Sequence, residues 1–337
     1  MTTLAHQLIV AFAIVGAGCA ASDDTGEKDL QQEFEDALAS AEDDGEAFPV
    51  SAQVQAGDDE QPATALAVGE GQPTVAYLKR NGSHRVGSFE TSGLLKSYGG
   101  STVFYPRDDS TDLAGVVMCP GFSALKGSIA GWGPFFASHG IVLMTIDTKT
   151  TLDQVVQRAP QIQEALRDLQ EMGDNRSELR GRFGGKWGVS GWSMGGGGTW
   201  LTAANQAQRL GVRTAVTLAG HNLTAGGAIG VGAANIRIPT LMMNGSTDAT
   251  ILGGLAQTDS AYSAIPNGTP KMMWETGTCG HFCWGDPNAG NNISGVLMMA
   301  WQKTFLEGDD RFRSLLNCQT ARGDLLSLTT SCRTDDI

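Results

Sequence analysis

The sequence lacks an apolar run long enough to cross a bilayer, lacks a GxxxxGK[ST] phosphate loop, and holds no basic tract anywhere in its 337 residues. The first absence leaves no membrane-spanning helix to argue for, because about 20 consecutive apolar residues are needed. The second leaves Gly195 to Gly198 without a phosphate to cradle, since these glycines follow a serine and do not form a dinucleotide fingerprint. The third, with a net charge of −13, argues against nucleic acid as a partner, because an acidic chain repels phosphate. Histidine is scarce at five residues and cysteine at six, so each can be weighed individually.

The acidity is local. Between Ala20 and Pro73 fifteen Asp and Glu face a single Lys, whereas Thr74 to Ile337 carries twenty-one acids and twenty-two bases. Residues 20–73 hold too few large apolar side chains to offset the entropy of ordering and read as a disordered acidic tether. Leu30, Phe34 and Leu38 recur there at helical spacing, but an isolated helix of that length is marginal. Ahead of the tether, QLIVAFAIVGAGCAA (residues 7–21) ends in small residues and has the length of a signal-peptide core. Residues 1–19 are therefore read as a signal peptide, and residues 74–337 as one catalytic domain of an exported protein. Cys19 follows Val15, Gly16, Ala17 and Gly18, which resembles a lipobox and makes Cys19 a candidate lipid anchor at the outer surface. Cleavage near Ala20 or Ala21, with Cys19 lost and the protein secreted, is the alternative.

Export permits disulfides. Cys318 and Cys332 lie close in sequence, and a bridge between them would contribute about 3 kcal/mol by loop closure. Cys279 and Cys283 can pair across CGHFC, which leaves Cys119 as the odd thiol, although sequence does not fix connectivity. Only His281 lies among these cysteines, too few ligands for a zinc site, so no metal and no organic cofactor is expected.

From about Gln72 onward β-rich runs at His84 to Glu90 and Thr102 to Tyr105 give way to apolar strands alternating with helical patterns. That alternation predicts an α/β fold with a central, mostly parallel sheet flanked by helices; no large lid is expected. The strands are placed at Gly115 to Cys119, Ile141 to Ile146, Trp187 to Ser190, Thr214 to Leu218, Thr240 to Asn244 and Lys271 to Glu275. The helices are placed near Ile129 to Ser138, Leu152 to Met172, Met194 to Gln206, Gly254 to Ala264 and Ile293 to Phe305, and Gly226 to Ala234 reads as a surface loop.

Gly191-Trp192-Ser193-Met194-Gly195 is a GxSxG placed after a strand and before a helix, the setting of a nucleophile elbow in the α/β-hydrolase fold. A serine hydroxyl becomes a nucleophile when a histidine removes its proton and a carboxylate orients that histidine. The fold supplies them in the order serine, acid, histidine. His221 has no acid between itself and Ser193, so His281 is the base. Asp248, Asp259 and Glu275 remain as acids, and Asp248 alone follows the carboxyl end of an apolar strand. The oxyanion requires two backbone donors, Met194 after the elbow and Phe122 in the loop after an earlier strand. A core aromatic is the alternative for Phe122.

These residues, with CPGFSALKGSIAGWGPFFASHGIVLMTIDT, GWSMGGGG, STDATI and GHF, resemble the bacterial cutinase and polyethylene terephthalate hydrolase family over about Thr74 to Cys332. The resemblance implies Ser193, Asp248 and His281 as the triad and the amides of Phe122 and Met194 as the oxyanion hole. It also implies a shallow cleft lined by Phe122, Trp192 and Met194, with Phe282 beside the base. Two positions depart from the pattern. His221 stands where a tryptophan is common and Thr250 where a larger aliphatic residue is usual, which weighs against strong activity on aromatic polyester. His221 reads either as a cleft residue or as a surface histidine, and Trp192 either as a substrate wall or as a structural aromatic. Gly245 stands where part of the family has a cysteine, so Cys279 becomes the substitute partner of Cys283.

The reading is thus a monomeric serine hydrolase of polyesters, cutin-like and synthetic, and of short acyl esters. A lipase acting on acylglycerols is the alternative within the enzyme class, and a surface binding protein that has lost catalysis is the alternative outside it.

Overall fold

In a computed structural model the described residues are 72–221, 232–248, 255–322 and 328–337. After a one-turn helix, α1 (Val75–Leu78), the chain forms β1 (Val86–Ser92), β2 (Gly100–Pro106), β3 (Leu113–Cys119), α2 (Trp132–Ser138), β4 (Ile141–Asp147), α3 (Val155–Asn175), β5 (Phe183–Trp192) and α4 (Met194–Leu210). It continues through β6 (Val212–Leu218), β7 (Thr240–Gly245), α5 (Leu255–Ala264), β8 (Lys271–Thr276), α6 (Ile293–Trp301), α7 (Cys318–Arg322) and β9 (Thr329–Asp335). Nine strands make one sheet in the order β1-β2-β4-β3-β5-β6-β7-β8-β9. β4, β3, β5, β6, β7 and β8 pair in parallel, and β2 and β9 pair antiparallel at either side.

The parallel centre follows from composition. Strands covered by helices on both faces read as continuous apolar runs, and β3, LAGVVMC, is buried at every residue. Its period of two sends alternate side chains to opposite cores. Val116 and Met118 pack with Trp132, Phe136 and Trp301 on one face. Val117 packs with Leu166 and Leu169 of α3 and Trp200 of α4 on the other. Each fully buried Val or Leu contributes roughly 1.5–3 kcal/mol.

The expected helices form with shifted ends. α3 begins three residues later than expected because Thr150 to Asp153 closes a turn of its own, with Thr150 N–H and Oγ1 both bonded to the Asp153 carboxylate. Gln154 then caps the helix through the Gln157 side chain. The helix ending at Trp301 runs on as a π-helical turn, Gln302–Glu307. β9 was not anticipated. Its sequence, TTSCRTD, shows no apolar alternation because it is an edge strand, and it carries two charged residues, Arg333 and Asp335, of the kind that discourages edge pairing with another chain. The Cys318–Cys332 bridge joins it to α7, and Cys279 pairs with Cys283, which leaves Cys119 buried as a free thiol. Burial pushes the Cys119 thiol pKa up, so it stays protonated and inert.

His139, just beyond α2, is buried between the rings of Phe135 and Tyr77 at 4.8 and 5.4 Å, and its Nε2–H donates to the Arg80 carbonyl at 2.9 Å. Burial lowers its pKa to about 4, and the Lys303 ammonium adds to that effect. Between pH 6.5 and 4 the unfolded chain binds a proton at this position and the folded chain does not, so stability falls as pH falls. About 3 kcal/mol is lost once the pH is below 4. Thermal unfolding of wild type and His139→Phe across this window checks it: the variant is expected to show the shallower dependence on pH, and parallel curves would remove His139 as the cause.

Candidate active site

Ser193 stands between β5 and α4 with φ 55° and ψ −123°, a conformation that costs free energy and persists where the surroundings fix it. Two close approaches enforce it. A Cβ on Gly191 would lie 2.3 Å from the Gly195 backbone, and a Cβ on Gly195 would lie 2.2 Å from the Cys119 carbonyl oxygen. The Ser193 carbonyl accepts from Gly197 N–H at 3.1 Å and from His221 N–H at 2.9 Å, so the elbow is tied to the end of β6 as well as to α4.

Asp248 and His281 arrive from the carboxyl ends of β7 and β8. Those strands are paired in parallel up to Gly245 and Thr276, and the Asp248 N–H turns back to the Gly245 carbonyl at 3.2 Å. The Ser193 hydroxyl lies 2.8 Å from His281 Nε2, and His281 Nδ1 lies 2.9 Å from Asp248 Oδ2. The consistent tautomer has Ser193 Oγ–H donating to Nε2 and Nδ1–H donating to the carboxylate. All three side chains are buried. The other two acids are engaged elsewhere: Asp259 pairs with Arg333, and Glu275 accepts from Thr330 Oγ1 at 2.6 Å.

Three restraints shape the His281 loop. The Cys279–Cys283 bridge encloses it, the Trp192 indole N–H donates to the His281 carbonyl at 2.8 Å, and the Trp284 indole N–H donates to the Gly280 carbonyl at 3.1 Å. Since Cys279 and Cys283 are joined to each other, neither offers a thiolate to a metal, and no group of three or more potential metal ligands occurs among the described residues. A Cβ at Gly245 would lie 2.1 Å from the Cys279 carbonyl oxygen and 2.6 Å from that of Gly280, so the His281 loop in this position leaves no room for a side chain there.

On the opposite side of Ser193 runs the loop after β3. A Cβ on Gly121 would lie 3.0 Å from Ser193 Cβ, so this loop passes against the nucleophile, with Phe122 next and half-buried. Met194 begins α4, where the first turn leaves backbone N–H groups without helical partners. Trp192 is buried, 5.6 Å from the His281 ring and 6.0 Å from Phe282. His221 is buried as well, which removes the surface alternative, and Thr250 lies outside the described residues.

Arg158 was not anticipated. It is fully buried, and its guanidinium donates to three carbonyls: Pro120 at 2.8 Å, Thr151 at 3.0 Å and Asp153 at 2.7 Å. Ser123 N–H also donates to Thr151 at 2.8 Å, so Arg158 fastens the loop carrying Phe122 to the loop after β4. The signal was present: Arg158 shares the apolar face of α3 with Val155, Ile162 and Leu166, and a charge on a buried stripe needs partners.

A parallel-centred sheet with an elbow serine after β5 and an acid and a histidine after β7 and β8 defines an α/β-hydrolase. The chain belongs to the family described as PET hydrolase-like, which matches residues 61–334. It is 34% identical over 258 residues to cutinase est1 of Thermobifida alba, covering 76% of this chain and 81% of that one. It is 36% identical over 257 residues to a bis(hydroxyethyl) terephthalate hydrolase of Streptomyces coelicolor, covering 75% and 77%. A cutinase of Thermobifida fusca, cut1, is 34% identical over 247 residues, covering 72% of each chain. The chain is accordingly a carboxylic ester hydrolase.

Proposed function

We propose that this is an exported serine hydrolase that cleaves solid polyesters and short acyl esters through an acyl-enzyme. The observation that carries the reading is the continuous hydrogen-bonded chain from Ser193 through His281 to Asp248. Ser193 Oγ attacks the ester carbonyl as its proton passes to His281 Nε2, and Asp248 stabilises the imidazolium. The N–H groups of Met194 and Phe122 receive the oxyanion. The proton then leaves with the alcohol, and water, deprotonated by His281, releases the acid and restores Ser193. No cofactor takes part in these steps.

Aliphatic polyester is the favoured substrate, because His221 is buried and offers no exposed flat ring on which an aromatic unit could stack. Residues 20–73 serve as a spacer between the catalytic domain and an anchor at Cys19 or a cleaved terminus, and the protein acts as a monomer.

The test is product release from amorphous aliphatic and aromatic polyester films, using native protein and protein blocked at Ser193 by an organophosphonate. Native protein is expected to release acid from both films, faster from the aliphatic one, and blocked protein to release none. Cleavage of p-nitrophenyl butyrate without release from either film would reduce the reading to a small-ester esterase.

A further inference from the structure

Large apolar side chains that remain exposed are unevenly distributed. Among the described residues they are Leu94, Leu95, Leu125, Leu152, Val156, Leu255 and Leu328, and every one lies at the carboxyl edge of the parallel strands, the edge that carries Ser193. Leu94 and Leu95, 83% and 92% exposed, form the turn between β1 and β2, whose ends at Ser92 and Gly100 lie beside Asp147 at the carboxyl end of β4. Leu125 follows β3, Leu152 and Val156 follow β4, Leu255 follows β7, and Leu328 precedes Thr329, which pairs with Thr276 at the end of β8. None of these seven lies at the opposite edge. A cleft of about 270 Å³ there is lined by His84, Asp112, Lys186, Lys303 and Glu307.

The Leu94–Leu95 turn is linked to the active site through two loops. Lys149 Nζ donates to the Lys96 and Gly93 carbonyls at 2.9 and 3.4 Å, which seats the Leu94–Leu95 turn on the loop after β4. That loop meets the loop of Phe122 through Ser123 N–H and the Thr151 carbonyl. Yet β2 and β1 are the third and fourth strands from β5, so the turn stands roughly 14–19 Å from the elbow at about 4.8 Å per strand. A short soluble ester bound at Ser193 does not span that distance, whereas an extended flat surface meets both.

Charge selects the kind of surface. Lys96 is paired with Asp168 at 2.7 Å, and Lys126 with Asp147 at 3.1 Å and Glu90 at 3.4 Å, while the turn's own carbonyls hold Lys149. The lysines beside the strip are thus already engaged, which suits an uncharged partner better than an anionic headgroup layer. We infer that the carboxyl edge of the sheet is an adsorption face for the surface of a solid, uncharged ester polymer, with Leu94 and Leu95 as its outlying contact. The inference rests on the polyester reading for the identity of that solid.

The experiment uses the full chain carrying Leu94→Ser and Leu95→Ser. Adsorption to an aliphatic polyester film is measured in a Ser193→Ala background, where no turnover consumes the film, and p-nitrophenyl butyrate hydrolysis is measured with Ser193 intact. Film affinity is expected to fall tenfold or more while soluble hydrolysis stays within twofold of the parent, and Leu94→Phe with Leu95→Phe is expected to restore film affinity. Unchanged film affinity overturns the inference, as does an equal loss on the soluble ester. Leucine-dependent binding to phosphatidylcholine vesicles without leucine-dependent binding to film also overturns it, in favour of a lipid surface. If the film binds through the leucines but native protein never cleaves it, the polyester reading fails and the adsorption face stands.

Discussion

Ser193→Ala is expected to lower kcat on p-nitrophenyl butyrate by about 10⁶, His281→Ala by about as much, and the double variant no further. Non-additivity follows from the geometry. Ser193 Oγ, His281 and Asp248 form one relay with contacts of 2.8 and 2.9 Å, and once either of the first two is removed the other has nothing to act on. Asp248→Asn is expected to cost less, about 10⁴, because the imidazole remains but an amide can turn its NH₂ toward Nδ1 and favour the wrong tautomer. Burial sharpens this effect, since no solvent reaches the Asp248 side chain to compensate. Steady-state kinetics on the four variants read it directly. A Ser193→Ala protein retaining a tenth of the activity would mean that another nucleophile does the work.

Arg158→Met carries the second large effect. It strips three buried carbonyls of their donor, and removing one partner of a buried charged network costs about 3–5 kcal/mol. One of those carbonyls belongs to Pro120, two residues ahead of Phe122, so the proposed oxyanion donor moves with it. Loss of one such donor typically costs about 10²–10³ in kcat, and a misplaced donor is expected to cost roughly tenfold to a hundredfold with KM little changed. Arg182 provides a matched control. It holds the carbonyls of Pro106, Asp108, Ser110 and Glu178 at 3.0, 2.6, 2.9 and 2.9 Å, but at the far edge of the sheet. Arg182→Met is expected to destabilise the fold while leaving kcat unchanged below its melting range, and Arg158→Lys is expected to recover part of the lost kcat. Equal losses of kcat in both methionine variants would assign Arg158 to stability alone.

The parts of the molecule legible in the sequence are those where one physical demand dominates. β3, β4, β6, β7 and β8 are doubly covered and could be found from their apolar runs, and Ser193 from the small residues that its turn requires. His281 and Asp248 follow from chain order, since two histidines come after the serine and three acids lie between it and His281. β9 escaped because an edge strand with one solvated side has no apolar pattern to detect. Arg158 escaped because its importance lies in three carbonyls from two loops, which no local spacing reveals. The pairing of Cys279 with Cys283 was accessible through the two cysteines themselves, but the collision that excludes a side chain at Gly245 exists only once β7 and the His281 loop are side by side. The shared orientation of the exposed leucines is likewise a property of strand direction, invisible until the ends of β1, β4 and β8 are known to face one way.

The bridge around His281 closes on itself within one loop, so it stiffens that loop without joining it to anything else. The interval between acid and base is inherited from the ladder of β7 and β8, where Asn244 faces Glu275 and Gly245 faces Thr276. β8 is in turn flanked by β9, which the Cys318–Cys332 bridge secures to α7. The covalent guardian of the proton relay is therefore the distant one: a clasp on the outermost strand keeps its neighbour in register, and that neighbour carries the histidine.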